Sequence, residues 1–133
     1  MKCRAFAAAV LFLILINNAV YAADNKIDGL TYYDNVYVTR VYIGPEITEI
    51  SEDAFVNLHR LFLISVDESN PNYSSYANCL YNKDKTKLLC MPFALSYTEI
   101  PDSVVEMSHY ALRGKCAHVR RQVEKIIKRN KGE

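Results

Sequence analysis

The sequence predicts a β-rich α/β solenoid of about three repeats, with an inserted β-hairpin and a C-terminal capping helix. Three observations predict it. Short apolar segments recur at related offsets, Cys79 and Cys90 flank a charged turn, and the end of the chain carries one apolar stripe among basic side chains. Together they indicate small stacked units that cannot bury their apolar residues alone.

The N-terminus has the anatomy of a secretory signal peptide. A basic start precedes an apolar run at residues 5–16, and small side chains at Val20 and Ala22 mark a cut after Ala22. The run is short for a membrane span, although a retained anchor helix is the alternative. The predicted organisation is a signal peptide at 1–22, a repeat domain at 23–114 and a basic C-terminal capping helix at 115–133.

Charge is distributed unevenly along the predicted mature chain. Residues 113–133 carry eight basic and two acidic side chains, whereas residues 23–112 carry six basic and 13 acidic ones. The tail should therefore attract the body of the protein or an acidic partner.

Three segments share a spacing of apolar residues: VTRVYI at 38–43, LFLISV at 61–66 and LSYTEI at 95–100. The first and second segments are 23 residues apart, and the second and third are 34 residues apart. The second spacing exceeds the first by about the length of the segment that contains Cys79 and Cys90. If that segment is an insertion, the three segments recur at one period, and each is predicted to form one strand of a repeat.

A second match supports the same repeat. IGPEITEISEDAF, from Ile43, aligns with IPDSVVEMSHYAL, from Ile100, at an offset of 57. Each unit is predicted to contain a short strand, a turn and a brief helical turn capped by Ser51 or Ser108. Stacking of the units would then supply the core.

The stretch NCLYNKDKTKLLC reads as a β-hairpin in which Cys79 faces Cys90 and Tyr81 faces Leu88. Asp84 and Lys85 then form the loop, or a longer loop forms because lysine is a poor residue for a left-handed turn position. Outside the cytosol a Cys79–Cys90 disulfide is predicted, with two small buried hydrophobic residues as the alternative. Cys116 is left as a free thiol, a buried residue or a link to another chain.

These segments resemble the BspA-type leucine-rich repeats. VTRVYIGPEITEISEDAF and TEIPDSVVEMSHYALRG are similar to the family's strand and A-F turn, and NPNYSSYANCLYNKDKTKLLCMP is similar to its inserted hairpin. Residues 28–43 resemble its opening strand pair, with the turn at Asp34 and Asn35. The resemblance covers about residues 28–114 and implies about three leucine-rich repeats, with non-catalytic adhesion or binding to host or matrix proteins. Gly44, Met107 and Leu112 depart from the family pattern.

The final segment, CAHVRRQVEKIIKRNKGE, has the spacing of a one-sided amphipathic helix. Its apolar residues are Val119, Val123, Ile126 and Ile127, and basic side chains fill most of the remaining positions. We expect a cap over the open edge of the last repeat. The alternative is a helix that binds a membrane surface or an anionic partner.

The sequence offers little catalytic chemistry. His118 and Cys116 form a pair without a second pair nearby to complete a zinc site, and no catalytic or phosphate-binding motif is present. We therefore expect neither an enzyme nor a cofactor nor a metal site.

A binding face follows from strand parity. If Val41 and Ile43 point inward, their neighbours point outward, and the same holds in the other two units. The predicted face contains Arg40, Tyr42, Leu63, Ser65, Tyr97 and Glu99, although strand preference alone also explains the tyrosines. The face is narrower than a standard interface, so either binding is weak or a homodimer widens it.

The expected partner is an extracellular protein rather than a nucleic acid, and the expected location is secreted or at the cell surface.

Overall fold

A computed structural model of the protein describes residues 19–20, 25–32 and 35–133. Most of the predicted signal peptide, 1–22, lies outside the described residues. In chain order the elements are β1 Ala19–Val20, β2 Lys26–Ile27, β3 Arg40–Ile43, β4 Glu49–Ile50, β5 Leu63–Val66, β6 Tyr73–Tyr76, β7 Cys79–Asn82, β8 Lys87–Cys90, β9 Glu106–Met107 and helix α1 Ala117–Asn130.

The first two predicted repeat strands pair in parallel in a sheet of order β1-β3-β5. Val41 lies opposite Ile64 and Ile43 opposite Val66, so the 23-residue offset is the register of the ladder. All four of these side chains are buried. β-Branched residues at alternate positions suit a strand with one buried face.

The turn that follows β3 is tied to the N-terminal part of the chain. β4 pairs in parallel with β2, so that Ile27 lies opposite Ile50 at the same 23-residue offset. Ile27, Ile47 and Leu58 are among the fully buried side chains of the first apolar core. In contrast, the predicted opening strand pair does not form in the described part of residues 28–43. Asp28 instead accepts hydrogen bonds from the N–H groups of Leu30 and Thr31, as in an Asx turn.

The inserted segment is a three-stranded meander, β6-β7-β8, to which β9 adds in parallel. β6 and β7 are joined by Ala77 and Asn78, whose φ angles of 47° and 71° are both positive. This is the geometry of the primed turns that match the twist of a hairpin. In the β7–β8 connection Lys85 has a φ of 54°.

The predicted facing of the cysteines is wrong. Tyr81 pairs with Leu88 as predicted, but the register shifts between Leu80 and Tyr81, and Cys90 lies opposite Leu80. A β-bulge adds one residue to a strand and so moves every later pair out of step. The predicted disulfide is absent, because Cys79, Cys90 and Cys116 are all free thiols.

The third predicted strand is also missing, because residues 95–100 form no strand. The turn of the β6–β7 hairpin lies beside β5, where the carbonyl of Asn78 accepts a hydrogen bond from the N–H of Ile64 at 3.0 Å. The Oγ of Ser75 likewise accepts from the N–H of Val66 at 2.9 Å. The hairpin thus fills the edge of β5 that the third strand would have used.

β7 lies between two apolar cores. The side chain of Leu80 joins the first core, whereas Cys79 and Tyr81 join the second. Successive side chains of a strand point to opposite faces, so one strand serves both cores. The second core also contains Leu88, Met91, Val104, Ala111, Leu112, Val123 and Ile127.

The turn after residue 43 and the turn after residue 100 make the same contacts. The side-chain amide of Asn70 donates to the carbonyls of Gly44 at 2.8 Å and Ile47 at 2.9 Å. The amide of Asn130 donates to the carbonyls of Pro101 at 3.1 Å and Val104 at 2.9 Å. The segments after Ser51 and Ser108 are turns rather than α-helices.

Helix α1 begins after Cys116, two residues later than the predicted boundary at 115. Lys128 and Arg129 lie in its last turn, where positive charge is favourable to the helix dipole. Val123 and Ile127 are buried against the second core, and each such burial is worth about 1.5–3 kcal/mol. Within the described ranges no helix is both long and apolar enough to cross a membrane.

Candidate binding surface

The outward side of β3 and β5 forms a small face of mixed character, here called the outer face: Arg40, Tyr42, Leu63 and Ser65. The ladder places Arg40 opposite Leu63 and Tyr42 opposite Ser65. Arg40 is exposed and the other three side chains are half-buried. In the first two units, the side chains predicted to point inward are therefore buried, and those predicted to point outward are exposed or half-buried.

Two contacts fix the side chains of the outer face. The hydroxyl of Tyr42 donates to Oδ2 of Asp67 at 2.6 Å. The guanidinium of Arg40 lies 5.5 Å from the ring centroid of Phe62, a cation–π distance. Hydrogen bonds from Ser69 and from Tyr42 lower the pKa of Asp67 to about 2, so its carboxylate is ionised at neutral pH and keeps accepting from the tyrosine.

Tyr97 and Glu99 are not part of the outer face. Both are exposed on the segment 95–100, which lies outside the sheet of β3 and β5. Glu99 accepts a hydrogen bond from the hydroxyl of Tyr76 at 3.0 Å. The predicted rows of three side chains are thus reduced to pairs, because the β6–β7 hairpin stands between the second and third units.

A groove lies between the segment 96–102 and one side of helix α1, here called the strand groove. Its volume is about 680 Å³, within the usual range of binding pockets. Tyr97, Glu99 and Asp102 line one wall, and Lys125 lies among the residues of the other. The apolar lining consists of Met91, Ile100, Val119, Val123 and Ile126.

Sequence reasoning found the helical stripe but missed the strand groove. The spacing of Val119, Val123 and Ile126 was visible, yet only Val123 among these is fully buried; Val119 and Ile126 remain half-buried. Nothing in the sequence around Tyr76 and Met91 indicates that they line a groove. Their place at the groove depends on the hairpin and on how the helix packs.

Lys115, two residues before helix α1, binds the loop that precedes the segment 95–100. The Nζ of Lys115 donates to the carbonyls of Pro92 at 2.6 Å and Phe93 at 2.9 Å, and also to that of Leu95. Burial lowers the pKa of Lys115. The ammonium therefore holds together the loop that leads into the segment 95–100.

The three thiols differ in their acidity. Burial raises the pKa of Cys79 to about 11 and that of Cys90 to about 12. The backbone N–H groups at the start of the helix, first that of Val119, lower the pKa of Cys116, although burial acts in the opposite direction. Cys116 is exposed, so it is the reactive thiol of the three. No group of three or more histidine, cysteine or acidic side chains able to hold a metal occurs within the described ranges.

Two solved structures are similar to this one. A leucine-rich repeat protein from Eubacterium ventriosum matches with a TM-score of 0.60 and 31% identity over 70% of this chain and 25% of its own. The pneumococcal vaccine antigen PcpA matches with a TM-score of 0.50 and 21% identity over 56% of this chain and 19% of its own. The present chain therefore spans a quarter or less of either protein.

The protein from Eubacterium ventriosum is a leucine-rich repeat protein, and the similarity to it supports a leucine-rich repeat fold for this chain. The identity to PcpA is low enough that this match concerns the fold alone. No family model matches the sequence. No curated protein matches it either.

Proposed function

We propose that this chain is a short BspA-type leucine-rich repeat module that is secreted or displayed at the cell surface and binds an extracellular protein. Its core would be about three stacked repeats. The leucine-rich repeat neighbour from Eubacterium ventriosum suggests a protein-binding repeat module. Such neighbours are typically non-catalytic, which supports a non-catalytic role here.

The observation that carries the proposal is the fixed outer face. Tyr42 is held by Asp67, and Arg40 is stacked on Phe62. Side chains already held in place lose little conformational entropy when a partner binds. Tyrosine and arginine are also the residue types most often found at the energetic centres of protein interfaces.

The size of the outer face limits the affinity. It spans only two paired strands of four residues each. Such a face is smaller than the area of about 800 Å² that each partner contributes to a standard interface. We therefore propose a weak single-site interaction, or a homodimer that joins two outer faces. The partner class is a host or matrix protein.

The C-terminal helix is proposed to act as a cap. Asn130 bonds the third unit just as Asn70 bonds the first, and Val123 and Ile127 are buried beneath the helix. A solenoid needs such a cover at its open end. The rival function, a membrane effector acting through this helix, would require those two apolar side chains to leave the core.

Affinity capture with extracellular and cell-surface proteins tests the proposed function. The bait is the purified protein, compared with the double variant Tyr42→Ala/Leu63→Ser on the outer face. The control is Glu52→Ala/Asn57→Ala, which changes two exposed residues of a turn away from that face. A partner retained by wild type and control but lost by the outer-face variant supports the proposal; equal retention by all three contradicts it.

A vesicle assay separates the rival function. The proposal predicts that the whole protein binds anionic vesicles no more than a soluble control, whereas the isolated peptide 115–133, freed from the core, binds them. Salt-resistant binding by the whole protein would instead favour the membrane effector, because apolar insertion is not screened by salt.

A further inference from the structure

Residues 96–100 form no helix, strand or turn, and the carbonyl of Glu99 accepts a hydrogen bond from the hydroxyl of Thr98 at 3.4 Å. Among the described residues, none of the segment's main-chain N–H or C=O groups pairs with another main-chain group. Yet its position is fixed, since the hydroxyl of Thr98 donates to the carbonyl of Ala77 at 3.0 Å and Lys115 bonds the carbonyl of Leu95. A fixed segment whose main-chain groups have no main-chain partner is a template for an added strand.

The strand groove lies beside this segment. β3 and β5 show how strands of this chain pair in parallel. After the third unit the chain forms helix α1, and Asn130 attaches the end of that helix to Pro101 and Val104. The strand groove, of about 680 Å³, lies between this helix and the segment 96–102. No strand of the described chain occupies it.

The chemistry of the strand groove selects an apolar pattern rather than a charge. Its helix side presents Val119 and Ile126, both half-buried. The charges of the groove are mixed: Asp102 lies 3.5 Å from Arg129 of the helix, and both Glu99 and Lys125 are among the lining residues. A ligand of one strong charge would therefore gain little there.

We propose that the strand groove binds one extended peptide segment of a protein partner, which pairs in parallel with residues 96–100 and turns alternate apolar side chains toward Val119 and Ile126. The required pattern is that of the chain's own strands, RVYI in β3 and LISV in β5. Peptide binding in the strand groove does not involve the outer face. Variants of Tyr42 and Leu63 test the outer face, whereas a variant of Val119 tests the groove.

Peptides copied from the chain itself provide the probes. Fluorescent peptides of residues 38–44 (VTRVYIG) and 62–67 (FLISVD) are titrated with the purified protein and followed by anisotropy. Saturable binding of at least one is expected, with affinity lowered by about tenfold or more when its residues are shuffled or when alternate amide nitrogens are methylated. Methylation removes main-chain donors while leaving the side chains unchanged, so it reports on strand pairing directly.

A matched pair of variants locates the site. Val119→Glu should weaken binding of the parent peptide by about tenfold or more, because it places a charge in the apolar groove. Val105→Glu, at another half-buried valine outside the groove, should leave binding unchanged. Thermal unfolding of both variants checks that each is folded, and the methylated peptide needs no variant at all. Absence of saturable binding by both peptides, or equal binding of parent and methylated forms, overturns the proposal.

Discussion

Asn70 and Asn130 make the same pair of hydrogen bonds on two turns whose sequences align at an offset of 57. The amide of Asn70 bonds the carbonyls of Gly44 and Ile47, and that of Asn130 bonds those of Pro101 and Val104. Asn70 belongs to the unit that follows its turn, whereas Asn130 is the last residue of helix α1. The helix therefore supplies the contact that another repeat would have supplied.

Substituting these asparagines tests that equivalence. Asn70→Ala should lower the free energy of unfolding by about 2–4 kcal/mol, because the side chain is fully buried and two carbonyls lose their donor. Asn130→Ala should cost about 1–2 kcal/mol, since Asn130 is half-buried and water can reach part of the site. Urea denaturation measures both, with the exposed Asn57→Ala as control. An Asn130→Ala protein as stable as the control would mean that the end of the helix contributes nothing.

The packing of helix α1 predicts a contrast between neighbouring positions. Val123→Asp should destabilise the protein by about 3 kcal/mol, because an unpaired charge replaces a side chain that is 4% exposed. Ile126→Asp should cost about 1 kcal/mol or less, since Ile126 is half-buried and faces the open strand groove. Thermal or urea unfolding reports both. Equal effects at the two positions would contradict the packing described here.

The three thiols should react in a fixed order. Exposed Cys116, whose pKa is lowered by helix N–H groups, should be alkylated by iodoacetamide first and at a pH below that of an ordinary thiol. Cys79 should react only on unfolding, because it is buried and burial raises its pKa to about 11. Cys90 is half-buried and should react later than Cys116, since burial raises its pKa to about 12. Peptide mass spectrometry gives the order. A Cys79–Cys90 disulfide peptide in the non-reduced protein would show that the bulge relaxes and the two thiols meet.

Alkaline pH should weaken the fold through buried Cys79 and half-buried Cys90. A thiol with an ordinary pKa of 9.0 loses its proton more readily in the unfolded chain than in a fold that raises its pKa to about 11 or 12. The stability that this contributes is complete below pH 9 and is lost as the pH rises toward the folded values. Urea midpoints of wild type and Cys79→Ala between pH 8 and pH 11 measure it. The variant should show the shallower decline, and parallel curves would assign the loss to other groups.

The register of β3 and β5 could be predicted from the sequence, because apolar residues recur at the same positions of both units. Val41 over Ile64 is such a case. The third unit could not be predicted in the same way. Its strand is displaced by a hairpin whose turn, Ala77 and Asn78, has positive φ angles without the glycine that usually marks them. The bulge at Leu80 likewise has no glycine, so the facing of the cysteines was predicted one residue out of register.

The candidate sites divide along the same line. The outer face follows from strand parity, which is a local property, and Arg40, Tyr42, Leu63 and Ser65 lie where parity puts them. The strand groove depends on the distance between helix α1 and the segment 96–102, which only the packed structure determines. For this reason Tyr97 was expected beside Leu63 but lies on the wall of the groove.

Site-specific photo-crosslinking measures protein binding by the outer face. A benzophenone amino acid is placed at Leu63 on the outer face or at Glu52 on an exposed turn, and the purified protein is irradiated with extracellular and cell-surface proteins. We expect covalent adducts of a defined protein from position 63 that disappear when Tyr42→Ala is added, and none of that protein from position 52. Adducts of the same protein at both positions, or only at position 52, would contradict it.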